Sequence, residues 1–144
     1  MKYINLSKLQ NGEIVIESHS NIFDLHNDAD FSELVYNVLE KKAVLIWNYP
    51  SRRFINDSNS WYNEKYLEIH RINEKKTRQI ALIFDFVTCL DIKGRDIQMP
   101  FTEDTCLSNI IIEEPNNNTI TFEFVSEMEV KIESQYITFF DNYF

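Results

Sequence analysis

The clearest fold signal lies between Gln79 and Ile92, which read QIALIFDFVTCLDI. Large apolar side chains recur there at positions 80, 82, 84, 86, 90 and 92. A β-strand points successive side chains to opposite faces of its sheet, so this period of two predicts a strand with one buried face. Its expected partner in a hairpin is Tyr66–Ile72, with the turn at Asn73–Lys76. A helix over 64–72 remains an alternative, because the apolar positions there also fit one helical face.

The same alternation continues towards the end of the chain. Apolar residues occupy positions 120, 122 and 124, and again 128, 130 and 132, with Thr, Glu and Lys between them. The strongest turn signal, Pro115–Asn118, precedes these strands, and a turn at Asn11–Gly12 is expected to join the first two strands of the chain. The remaining predicted strands are Lys2–Leu6, Glu13–Glu17, Ala43–Trp47, Ile97–Phe101, Ile110–Glu113 and Tyr136–Phe140.

One principal helix is predicted near residues 31–42. Asp30 or Ser32 can cap its first turn, where the acidic Glu33 is also favourable. A narrow apolar stripe at helical spacing follows, formed by Leu34, Val35, Val38 and Leu39. Packed on a mainly antiparallel sheet of about six to eight strands, such a helix gives an α+β fold. The length of 144 residues predicts one globular domain spanning 1–144.

The composition excludes several kinds of functional site. The chain holds two Gly, three His and two Cys. Isolated glycines cannot build a phosphate-binding loop, and no Cys or His pair has the spacing of a zinc site. We therefore expect no metal, nucleotide or flavin cofactor.

The N-terminal residues lack the apolar run of a signal peptide, and the longest apolar run, Ala43–Trp47, is far shorter than the about 20 residues of a membrane span. The sequence therefore predicts a cytoplasmic protein that does not enter a membrane. Its cysteines, Cys89 and Cys106, are then expected to be reduced thiols.

The net charge of −9 is concentrated in one half of the chain. Residues 1–78 carry 11 basic and 11 acidic side chains, whereas residues 79–144 carry 3 basic and 12 acidic ones. An acidic segment of this kind repels nucleic acid and attracts a basic protein partner. The alternative is that the charge only keeps the protein soluble. The predicted docking residues are Glu113, Glu114, Glu123, Glu127, Glu129 and Glu133.

A second candidate surface is the polar, aromatic segment 48–63. Aromatic and Arg side chains dominate binding hot spots, and this segment concentrates both. The predicted partner-binding residues are Tyr49, Arg52, Arg53 and Tyr62. The alternative is that the largest aromatic residues of this region fill the core beneath a long loop.

The segment Leu82–Asp96, an amphipathic strand followed by a turn at Gly94, resembles strand–turn segments of the small β-rich immunity proteins of bacterial polymorphic-toxin and contact-dependent inhibition systems. The resemblance implies a protein without catalytic activity that binds and neutralises a cognate toxin domain, often a basic nuclease. Two alternatives remain open. One is a small hydrolase-like enzyme that uses carboxylates, with Asp85 as the first candidate, and the other is an accessory or structural binding protein.

Overall fold

A computed structural model of the chain describes residues 1–49, 78–94, 106–113 and 118–141. These residues form twelve β-strands and contain no helix, so this part of the chain is all-β and the predicted α+β class is wrong. The strands are β1 Lys2–Ile4, β2 Lys8–Leu9, β3 Val15–Ser18, β4 Asn21–Asp24, β5 Asp30–Asn37, β6 Lys42–Tyr49, β7 Arg78–Asp85, β8 Cys89–Lys93, β9 Leu107–Ile112, β10 Thr119–Phe124, β11 Glu129–Glu133 and β12 Tyr136–Asp141.

The strands form three sheets. The first has five strands in the order β1-β12-β7-β6-β5, and the second has four in the order β8-β11-β10-β9. A small third sheet has the order β2-β3-β4. All pairings are antiparallel except that of β1 with β12, which is parallel. The turn at Asn11–Gly12 therefore joins β2 to β3 and not the first two strands of the chain. β1 instead pairs with β12.

The region predicted as the principal helix is a β-hairpin. β5 and β6 pair antiparallel, with Val35 opposite Val44 and Tyr36 opposite Ala43. β-Branched and aromatic residues favour strands, and β6 supplies hydrogen-bonding partners along most of β5, which together outweigh a weak helical stripe. Lys41, at φ 52°, lies in the turn that reverses the chain.

The predicted continuous strand 79–92 is divided into two strands that belong to different sheets. The division falls at Phe86, which has a left-handed backbone conformation with φ 56° and is 56% exposed. A left-handed residue cannot continue an extended strand, so the alternation resumes after it in β8. The proposed first arm of this hairpin and its helical alternative, at 64–72, lie outside the described residues, as do the predicted strand Ile97–Phe101 and positions 115–117 of the turn.

The inner faces of the three sheets share one hydrophobic core. Its centre is a group of fully buried aromatic side chains, in which the ring of Phe122 lies 6.1 Å from Trp47 and 6.0 Å from Phe84. Phe31 extends this group, at 5.2 Å from Trp47 and 4.8 Å from Phe124. Since alternate residues of each strand enter this core, the intervening side chains lie on the opposite face of their sheet. On the five-stranded sheet, three of these side chains are also buried and form a second, small cluster of Val44, Ile46 and Ala81.

Candidate functional site

The outer face of the four-stranded sheet carries most of the charge expected for docking. On β10 and β11, Ile120, Phe122, Val130 and Ile132 are buried, so their neighbours face outward. Five acidic side chains share this face with two basic ones, and we call the group the acidic face. Its charged members are Asp91, Lys93, Glu113, Glu123, Glu129, Lys131 and Glu133.

Two of the five carboxylates on the acidic face are neutralised by nearby lysines. The Nζ atom of Lys131 lies 3.1 Å from Oε1 of Glu113, and Nζ of Lys93 lies 3.6 Å from Oδ2 of Asp91. The hydrogen bond from Lys131 to Glu113, together with the negative charge of that carboxylate, raises the pKa of the Lys131 ammonium group. Each of the two lysines is therefore engaged in an ion pair with one carboxylate of the acidic face.

The other three carboxylates are not paired with a basic side chain within 4 Å among the described residues. Glu123 accepts a hydrogen bond at 3.2 Å from the side-chain amide of Asn109, and Glu133 accepts one at 3.0 Å from the hydroxyl of Thr88. Glu129 lies opposite Glu123 on one side and opposite Lys93 on the other. Neutral donors orient two of these groups but leave their negative charges in place.

A depression of about 230 Å³ lies in the middle of the acidic face. It is smaller than typical small-molecule pockets, which measure about 300–1,000 Å³, and suits the end of one inserted side chain better than a whole ligand. Its lining residues are Asp91, Lys93, Ile111, Glu113, Thr121, Glu129 and Lys131.

The remaining predicted docking residues lie elsewhere or outside the described part. Glu127 is exposed in the turn between β10 and β11, with φ 69°, and Glu114 lies outside the described residues. The second candidate surface is represented by Tyr49 alone, since Arg52, Arg53 and Tyr62 also lie outside them. Tyr49 packs partly buried against the core, with its ring 6.2 Å from that of Phe23.

One unusual carboxyl group was not singled out by the sequence. Burial, and secondarily the charge of Asp24, raise the pKa of Asp28 to about 6. Asp28 lies in the loop between β4 and β5, and its buried Oδ1 atom has no hydrogen-bond partner among the described residues. By contrast, Asp85, the first sequence candidate for catalysis, is partly exposed. Its Oδ1 atom forms an ion pair with Nζ of Lys42 at 3.6 Å.

The two cysteines differ in their exposure to solvent. Cys89 is exposed on β8, whereas Cys106 is fully buried. The described residues hold no cluster of three or more His, Cys, Asp and Glu side chains arranged for a metal ion. Nor does that part of the chain include a helix with the length and apolar character needed to cross a membrane.

Comparison with known proteins gives no family assignment. The chain matches no known family model, and no curated protein is significantly similar to it.

Proposed function

We propose that the chain is a binding protein of the immunity type, which neutralises a toxin domain by docking a basic surface of that domain on the acidic face. The observation that carries the proposal is the register of Glu123 opposite Glu129. Like charges directly opposite each other on neighbouring strands destabilise a sheet. A basic partner that inserts Lys or Arg between them would remove this repulsion.

The geometry of the acidic face supports a protein partner rather than a small substrate. Its charges are spread over four strands, and the central depression accommodates about one side chain. The five carboxylates exceed the two lysines, so the face attracts cations over a distance and repels nucleic acid. Such complementarity chiefly raises the association rate of a basic protein.

The proposal is tested with a partner captured from the source organism on the tagged chain at low salt. The association rate of this partner is then measured by surface plasmon resonance at salt concentrations from about 50 to 500 mM, over which the Debye length falls to less than half. We expect a basic partner and a rate that falls steeply with salt.

The matched variants are Glu123→Lys and Glu40→Lys. Both change the net charge equally, but Glu40 is exposed in the turn between β5 and β6, on a different sheet. Glu123→Lys should slow association at low salt, whereas Glu40→Lys should have a much smaller effect. An acidic partner, a rate indifferent to salt, or equal effects of the two variants would refute docking on this face.

A further inference from the structure

The turn between β2 and β3 is docked on the outer edge of β9, which is the last strand of the four-stranded sheet. The backbone N–H of Gly12 donates to the carbonyl oxygen of Ile110 at 2.7 Å. The backbone N–H of Ile112 donates to Oδ1 of Asn11 at 3.0 Å. An edge strand leaves such groups without a strand partner, so Asn11 and Gly12, which we call the docked turn, satisfy two of them.

The docked turn also has a sequence that is prone to spontaneous chemistry. Asn11 is the only Asn of the chain that is followed by Gly. The backbone nitrogen after an Asn can attack the side-chain amide, and glycine leaves this nitrogen unhindered because it has no Cβ atom. Both residues are exposed, and a Cβ atom on Gly12 would meet nothing within 4 Å, so solvent reaches the turn.

We propose that Asn11 is a deamidation site, that docking on β9 holds the reaction back, and that the reaction releases the turn from β9. In the first step the nitrogen of Gly12 forms a bond to Cγ of Asn11 and gives up its proton to a base from solvent. The bond from Cγ to Nδ2 breaks, and Nδ2 takes a proton from water and leaves as ammonia. The product is a five-membered cyclic imide.

Water then opens this imide at one of two bonds. Cleavage between the Gly12 nitrogen and Cγ gives aspartate at position 11. Cleavage between the same nitrogen and the main-chain carbonyl carbon of residue 11 gives isoaspartate, in which the main chain runs through Cγ and gains a methylene group. Either product replaces a neutral amide by a carboxylate in a chain that already has a net charge of −9.

The two docking hydrogen bonds act on the first step in opposite directions. The Ile112 N–H donates to Oδ1, where negative charge develops during the attack, so this bond by itself favours the reaction. The Gly12 N–H, however, is held on Ile110 at 2.7 Å, and its nitrogen is no nucleophile until that proton has been removed. The reaction therefore requires the turn to leave β9 first, in a local opening that precedes attack.

The two products differ in whether the turn can dock again. Aspartate at position 11 still offers an oxygen to the Ile112 N–H, and its charge strengthens that hydrogen bond. Isoaspartate changes the spacing between this acceptor and the Gly12 N–H, so the turn no longer matches Ile110 and Ile112 together. Ile111, which lies between these two residues on β9, lines the depression of the acidic face.

Peptide mapping by mass spectrometry tests the proposal, with the chain kept at mildly alkaline pH either folded or unfolded in guanidinium chloride. The internal control is Asn5, which is also exposed but precedes Leu6. In the unfolded chain Asn11 should react about tenfold faster than Asn5 or more, because glycine leaves the nitrogen open. Folding should slow the reaction at Asn11 by about tenfold or more.

Two results of this experiment would overturn the proposal. If Asn11 in the unfolded chain reacts no faster than Asn5, the site is not a reactive one. If Asn11 reacts as fast in the folded chain as in the unfolded chain, or faster, docking does not hold the reaction back and the Ile112 donor dominates.

A second measurement follows the release of the turn by amide hydrogen exchange in NMR spectra. The Ile112 N–H should lose protection by about tenfold or more in protein that carries isoaspartate, and should keep it in Asn11→Asp. The control is the Leu25 N–H, which donates to Ile14 at 3.0 Å and should stay protected in both. Unchanged protection at Ile112, or an equal loss at Leu25, would contradict release of the turn. Neither measurement involves a toxin domain, so the outcome is independent of the proposed function.

Discussion

Glu123 on β10 and Glu129 on β11 lie directly opposite each other on the outer face of the four-stranded sheet. Lys93 lies across from Glu129 on the other side, but its Nζ atom is 3.6 Å from Asp91. Glu123 is held by an amide, which supplies no positive charge. The sheet thus keeps a like-charge pair at the place where a basic partner is proposed to bind.

Replacement of Glu123 by Lys should stabilise the isolated protein while it weakens partner binding. The substitution turns a repulsive cross-strand pair into an attractive one, which we expect to raise the free energy of unfolding by about 0.2–1 kcal/mol. Urea denaturation measures this change at low and high salt, and the gain should shrink as salt increases. A loss of stability on substitution would show that the amide contact with Asn109 outweighs the repulsion.

Gly94→Ala should destabilise the four-stranded sheet. Gly94 has φ 74°, and an added Cβ atom would overlap the backbone carbonyl oxygen of Glu127, with the Glu127 carbonyl carbon at 3.0 Å and the Met128 Cα at 3.3 Å. Backbone atoms cannot move aside as a flexible side chain can, so we expect the free energy of unfolding to fall by about 2 kcal/mol or more. Thermal or urea denaturation measures this change.

Gly12→Ala is the matched control for this substitution. Gly12 also has a positive φ, of 82°, but a Cβ atom there would meet nothing within 4 Å. The substitution should therefore lower the free energy of unfolding only through backbone strain, by about 1 kcal/mol. If both variants lose the same free energy of unfolding, the close approach of Gly94 to the β10–β11 turn does not add to the cost of a Cβ atom there.

Phe122→Ala should be among the most destabilising single changes in the described part of the chain. The Phe122 side chain is fully buried between Trp47 and Phe84, which belong to the five-stranded sheet. Its removal leaves a cavity between two sheets, and such changes typically cost about 3–5 kcal/mol. Chemical denaturation checks the value, and a loss below about 1 kcal/mol would indicate that the two sheets do not share this core.

The strands near the end of the chain could be predicted because their alternation agrees with their pairing. Ile120 and Ile132 point into the core from neighbouring strands that a short turn connects, so local pattern and tertiary contact favour the same structure. The same alternation directs the intervening side chains outward, which are those of Glu123, Glu129 and Glu133.

The β5–β6 hairpin could not be recognised from its own residues. The apolar residues Leu34, Val35, Val38 and Leu39 fit a helical stripe, while in the hairpin Leu34 packs against the core and Leu39 is exposed in the turn. The deciding contribution is a central β6, which pairs with β5 on one side and β7 on the other. That arrangement depends on residues more than thirty positions away, which local propensity does not include.

The candidate site was likewise predictable only in part. The charge of each acidic position can be read from the sequence, but the 3.1 Å pair of Lys131 with Glu113 requires the register of β9, β10 and β11 together. The raised pKa of Asp28 depends on how the β4–β5 loop is buried, and no sequence pattern encodes that burial.

Asp28→Asn should stabilise the protein at neutral pH but not in acid. The pKa of Asp28 is raised from 3.8 to about 6, first by burial and then by the charge of Asp24. Between these values the folded state holds a proton that the unfolded state has released, so the contribution of this group to the free energy of unfolding falls as pH rises from about 4 to about 6. Above pH 6 the folded protein carries a poorly solvated carboxylate, and its penalty no longer changes.

An amide at position 28 has no such penalty at any pH. We therefore expect the free energy of unfolding of Asp28→Asn to exceed that of the wild type at pH 7.5 by on the order of 1–2 kcal/mol, a figure reduced for the partial exposure of the side chain, and to approach it near pH 4. Urea denaturation at the two pH values gives the difference, and an NMR titration of the Asp28 carboxyl carbon gives the midpoint directly. A midpoint near 4, or a difference that is the same at both pH values, would show that the carboxyl is solvated in the folded protein and that its unpartnered Oδ1 atom is reached by water.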